Sequence, residues 1–174
     1  RRAVRAATAL LDGHLGAHDR VGLFTVGGRV RWLRPGLGRA HAYRVVDALL
    51  DAQGAVHRLA ERTDPAVLRA LAPGTLVVAL TSLLDRRLSD LLVELAARRY
   101  DVVVVESPAE PLLAPPTSIA AASARRLWRL ETALVRNQLA GVGVPCVAWD
   151  DERPLAASIQ GLAHRRDVSL GHRR

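Results

Sequence analysis

The side chains best suited to chemistry cluster at Thr81, Ser82 and Asp85, directly after the apolar run Thr75-Leu-Val-Val-Ala-Leu-Thr81. Open parallel sheets meet their ligands at the carboxyl ends of their strands. Thr25, Glu106 and Ser107 also end apolar runs, and there the reading is that small polar residues close strands and open turns. Asp85 stands just before a helical stripe, so capping that helix is its first role and binding its second. Ser82, His41 and Asp85 hold the residue types of a hydrolytic triad, but no Gly-x-Ser-x-Gly elbow accompanies them. A hydrolase using Ser82 and His41 is therefore the alternative reading, and it needs the pair within about 2.6–3.2 Å.

The remaining candidates read as structural. His14 and His18 are four residues apart, without an acidic third ligand supplied by the sequence. Cys146 lies in an apolar strand and reads as a small buried hydrophobe. Gly27-Gly28 and Gly36-Leu-Gly38 are turns, and no Lys exists to complete a phosphate loop. Trp128 and Trp149 read as caps over the core with wet indole N–H groups; beside arginine pairs, an exposed Trp would instead mark an interface.

The chain has 174 residues, of which 49 % are apolar, enough for the core of one domain and too many for a disordered segment. With one Cys it is not a disulfide scaffold. No apolar run reaches the ~18–20 residues of a membrane span, so these residues are expected to be soluble. The chain begins with Arg1 and has no Met, so a piece of a longer or processed protein is expected. The 25 cationic residues are all Arg, against 17 acids, for a net charge of +8. They come as scattered pairs such as Arg86-Arg87 and Arg125-Arg126, and aromatics make up only 3 %. A nucleic-acid surface needs clustered charge and stacking rings, so it is the weaker reading; arginine also grips carboxylates on a protein partner.

The elements that must position these residues follow from periodicity. Val4, Ala7, Leu11 and Leu15 predict a helix over 1–16. Residues 20–26 and 29–33 read as two strands around the Gly27-Gly28 turn, followed by a loop over 35–38. Ala42, Val45, Val46, Leu49 and Leu50 predict an amphipathic helix, and Asp64-Pro65 opens a short one. Residues 75–81 and 101–106 are continuous apolar runs, the pattern of strands covered on both faces. Leu88, Leu91, Leu92 and Leu95 form a helical stripe between them. Residues 107–116 carry four prolines and read as loop. Thr117 or Ser118 caps a long helix whose stripe is Leu127, Leu130 and Leu134, ending at Gly141. Residues 144–149 form a last strand, placed at a sheet edge by Pro145. Pro154 opens a final helix. Residues 1–164 are expected to form one domain, and 165–174 a basic, disordered tail.

Alternation of strand and helix predicts an α/β fold: a three-layer, doubly wound, mostly parallel sheet with one antiparallel edge hairpin. Three stretches carry a resemblance: Asp19-Arg-Val-Gly-Leu-Phe24 with Trp32-Leu-Arg-Pro-Gly36 and Tyr43–Leu50; Pro73–Leu80 with Leu84-Asp85; and Arg126-Leu-Trp-Arg-Leu-Glu131 with Gly143–Trp149. In this order they resemble a von Willebrand factor A-type domain of the bacterial "domain of unknown function 58" family. The resemblance implies that the first, central strand, with its Asp-x-Ser-x-Ser motif, is missing here. That motif, a Thr in a second loop and an Asp after the next strand would hold Mg²⁺. Here the second loop, 36–40, offers Arg39 and no Thr, and Ser82 stands at the Asp position. The expectation is therefore a degenerate metal site and no cofactor, with Mg²⁺ entering only if the upstream motif exists in the parent protein. The resemblance also implies a non-catalytic interaction module, with Thr81, Ser82, Asp85 and Arg39 as partner-binding candidates. The implied partner is a MoxR-type AAA+ ATPase. The implied location is the cytoplasm, with the parent protein in some relatives anchored to the inner membrane by upstream helices.

Overall fold

The computed structural model describes residues 2–26, 31–54, 71–107 and 115–149. The expected turn at Gly27-Gly28, the helix after Asp64, the helix after Pro154 and the tail lie outside the described residues. The chain divides into two compact units, Arg1–Leu71 with Asp151–Arg174, and Ala72–Asp150.

The first unit runs α1 (Arg2–Gly16), β1 (Val21–Thr25), β2 (Arg31–Gly36) and α2 (Gly38–Gly54). Ala6, Leu11 and Val45 bury the facing stripes of the two helices, which pack together. β1 and β2 pair antiparallel, with a register irregularity between Val21 and Leu23. Phe24 and Trp32 are direct cross-strand partners whose rings meet edge to face at 6.4 Å. The second strand runs further than the sequence suggests: it continues through Pro35 to Gly36, which pairs with Val21. A proline is tolerated there because a strand on a sheet edge leaves one row of its N–H groups without a ladder bond.

The second unit runs β3 (Leu76–Thr81), α3 (Arg86–Ala97), β4 (Asp101–Glu106), α4 (Ile119–Gly141) and β5 (Cys146–Ala148). Its three strands are parallel, in the order β3-β4-β5. β4 is central, and Val102 to Val105 are buried on both faces, as their continuous apolar run requires. Leu91, Leu92 and Leu95 of α3 close over it. Among the described residues β5 lies at an edge, in keeping with Pro145; the Pro145 carbonyl still accepts the Val104 N–H at 2.9 Å.

Two core expectations are corrected. β3 carries the same kind of apolar run as β4 but is only half-buried, because it pairs with β4 alone among the described residues. The stripe expected to anchor α4 faces outward: Leu127, Leu130 and Leu134 are exposed, and Leu139 is the buried residue of that helix. The architecture is thus mixed α/β, a three-stranded parallel sheet and a separate two-stranded antiparallel one. No helix among the described residues is long and apolar enough to cross a membrane.

Candidate functional site

The parallel register sets Thr81, Glu106 and Ala148 in one row at the carboxyl ends of β3, β4 and β5. The chain leaves β3 through a tight turn. The Thr81 Oγ1 accepts the Leu83 N–H at 3.0 Å, and the Thr81 carbonyl accepts the Ser107 N–H at 2.8 Å. Leu83 is held at φ 59°, an uncommon conformation for a branched residue, and its side chain is buried. That burial fixes the path of the turn. Ser82 beside it is half-buried, while Leu84 is 51 % exposed.

Asp85 is the N-cap of α3: its backbone is extended, and its Oδ1 accepts the Arg87 N–H at 3.0 Å. Its carbonyl also holds the buried Ser89 through both N–H and hydroxyl. Thr81 and Asp85 therefore already accept hydrogen bonds that build the turn and the helix start. A Mg²⁺ ion prefers near-octahedral oxygen coordination. Thr81, Ser82 and Asp85 alone do not make such a shell, and no group of three His, Cys, Asp or Glu side chains placed to hold a metal ion occurs among the described residues.

The row's most constrained group stands where only an ordinary strand end is expected from the sequence. Glu106 is 3 % exposed, and its carboxylate is gripped by Arg136 of α4. Arg136 Nη2 donates to Oε1 at 2.9 Å and to Oε2 at 2.8 Å, and Nε donates to Oε2 at 3.1 Å. The Glu106 carbonyl meanwhile accepts the Trp149 N–H at 2.8 Å. A carboxylate at the end of a four-valine run was the available signal, since a buried acid needs a cation or a proton. Cys146 lies on the neighbouring strand. Burial pushes its thiol above the usual range, the Glu106 carboxylate pushes it the same way, and Arg136 opposes both. The thiol is half-buried, less enclosed than its apolar strand suggested.

The other candidates lie in the first unit. Arg39 is exposed in the first turn of α2. His41 is 2 % exposed and fully engaged. Its Nε2 faces the Val21 carbonyl at 2.6 Å, an acceptor, so Nε2 carries the proton. Its Nδ1 then accepts from Arg44 Nη2 at 3.3 Å. A Cβ on Gly36 would stand 2.5 Å from Nδ1, so the glycine is what admits the ring. This imidazole ties β1 to α2, with both nitrogens engaged. His14 Nδ1 lies 2.8 Å from Asp19 Oδ2 on the surface, an acidic neighbour five residues along the chain.

One tryptophan differs from expectation. Trp149 is 6 % exposed. Trp128 is half-buried, and its indole N–H, expected to stay wet, is buried without a hydrogen-bond partner.

No family model matches the chain, and neither does any curated protein or solved structure.

Proposed function

We propose that the chain is a non-catalytic protein-interaction module of the von Willebrand factor A type, of the "domain of unknown function 58" kind, working in the cytoplasm with a MoxR-type AAA+ ATPase. The observation that carries this reading is the loop from Thr81 to Asp85. It lies at the carboxyl end of a parallel strand, and hydrogen bonds to Leu83 and Arg87 hold it in shape. Its polar groups hold backbone, and what it offers outward is a fixed contour with Leu84 at its crest. Such a surface suits recognition of a protein better than bond-breaking.

The test is co-purification of the chain with the MoxR-type ATPase of its source. Ser82→Arg puts a long cation on the half-buried shoulder of the loop and should abolish the association, while Arg39→Glu tests the second candidate in the same assay. Unchanged recovery with Ser82→Arg would remove the loop after β3 as the docking site. Both His41 nitrogens are engaged within the first unit, which favours this reading over a hydrolase using Ser82 and His41.

A further inference from the structure

The outward face of α4 has a pattern that the interaction loop does not use. Ile119, Leu127, Leu130 and Leu134 are 88 %, 59 %, 56 % and 68 % exposed. Exposed apolar side chains are ordinary singly; several along one helix face make a patch of a kind that marks interaction sites. The spacing is also that of a coiled-coil seam. With Leu127 and Leu134 at heptad position a and Leu130 at d, Ala120 takes the preceding a position, Ser123 the preceding d and Asn137 the following d. The seam is apolar in the middle, small at its N-terminal end and amide-bearing at its C-terminal end.

The flanks settle what fits it. Arg126 falls at g and Glu131 at e, and both are exposed. In a parallel pair of identical helices, g of one chain faces e of the next heptad on the other, five residues on. Arg126 of each copy then meets Glu131 of the other, twice by symmetry. An antiparallel pair sets g against g and e against e, so Arg126 and Glu131 are never brought together across the seam. The face is thus self-complementary in charge in one orientation only.

We propose that α4 associates with α4 of a second copy of this chain, as a parallel two-helix seam built on Leu127, Leu130 and Leu134 and framed by reciprocal Arg126–Glu131 ion pairs. The contact is isologous, with its two-fold axis along the helices. Asn137, at the following d position, lies at the axis, where its amide can meet that of its own copy. The seam covers about two heptads, so the dimer is weak and depends on concentration.

Sedimentation equilibrium over a wide concentration range tests this with the whole chain. The wild type should show a monomer–dimer equilibrium. Leu130→Asp puts a charge on the seam and should weaken dimerisation by at least about a hundredfold. Since Leu130 is exposed, the circular dichroism spectrum should not change. Arg126→Glu sets like charges together on both flanks and should weaken the dimer by about tenfold. Arg126→Glu with Glu131→Arg restores opposite charges and should return the affinity to within about threefold of wild type. A monomer at every concentration overturns the proposal, as does a dimer indifferent to Leu130→Asp. A trimer, or a double swap no tighter than the single swap, overturns the parallel pairing. A monomer that pairs through this face with an acidic helix of another protein overturns the self-association.

Discussion

Replacing Arg136 by Met should destabilise the second unit far more than replacing Glu106 by Gln, because the two partners are buried so unequally. The Glu106 side chain is 4 % exposed and that of Arg136 is 45 %. Arg136→Met removes all three hydrogen bonds from Nε and Nη2 to a carboxylate that water barely reaches. Uncompensated buried charges of this kind cost about 3–5 kcal/mol. The guanidinium is half in solvent, so water can enter where it stood, and the lower end, about 3 kcal/mol, is the expected loss. Glu106→Gln leaves a neutral amide of the same shape beneath an arginine that solvent already hydrates, for a loss of about 1 kcal/mol. In a urea titration, 3 kcal/mol at a slope of about 1.5 kcal/mol per molar moves the midpoint by about 2 M. The double variant Glu106→Leu with Arg136→Met removes both charges and should recover at least half of the loss. An Arg136→Met cost below about 1 kcal/mol, the size of an ordinary surface pair, would refute the reasoning. So would equal losses for the two single variants.

Two further predictions concern groups with fixed surroundings. His41→Ala should cost about 2–4 kcal/mol through lost packing and an unpaired Val21 carbonyl, and Gly36→Ala about 1–3 kcal/mol by driving a methyl into the imidazole. Because the clash needs the ring, the double variant should be no less stable than His41→Ala alone, and additive losses in thermal melts would show that the ring and the glycine are not in contact. Cys146 should react with a disulfide reagent more slowly than a free thiol near pH 8, with its pH–rate midpoint above the ordinary thiol value, since burial and then Glu106 disfavour the thiolate. Glu106→Gln removes one of the groups that raise it and leaves Arg136, which lowers it, so the midpoint should fall; an unmoved midpoint would mean that burial alone sets it.

What could be read from the sequence was local. The apolar run at 101–106, the stripe of α3 and the cap at Asp85 each depend on residues a few positions apart, and each is found where periodicity put it. Ser118 caps α4 through its side chain and the Ala121 N–H at 3.1 Å, one of the two residues expected there. What could not be read depends on sheet order and long-range pairing. β3 and β4 look alike as strings, and only their places at the edge and centre of the sheet separate half-burial from full burial. The Glu106–Arg136 pair joins residues 30 apart in the chain, and with 25 arginines available no spacing rule selects the right one. For the candidate loop, Thr81, Ser82 and Asp85 were visible by type, but the hydrogen bonds that engage Thr81 and Asp85 were not.

The orientation of α4 shows why a correct helix can still carry a wrong core. Its sequence is apolar on two sides. One stripe is Leu127, Leu130 and Leu134; the other is Trp128, Val135 and Leu139. Leu130 and Leu139 are nine residues apart, about 180° around the helix at 100° per residue. Each stripe offers three large apolar side chains worth about 1.5–3 kcal/mol apiece on burial, so hydrophobicity alone barely separates the two rotations. Charge does separate them. Arg136 lies on the same side as Leu139 and is the residue that reaches Glu106. Turning the leucines inward would carry the guanidinium away from a buried carboxylate, a penalty of about 3 kcal/mol that near-equal stripes do not offset. The ion pair therefore fixes which face of α4 meets the sheet, and in doing so it leaves a leucine seam pointing outward.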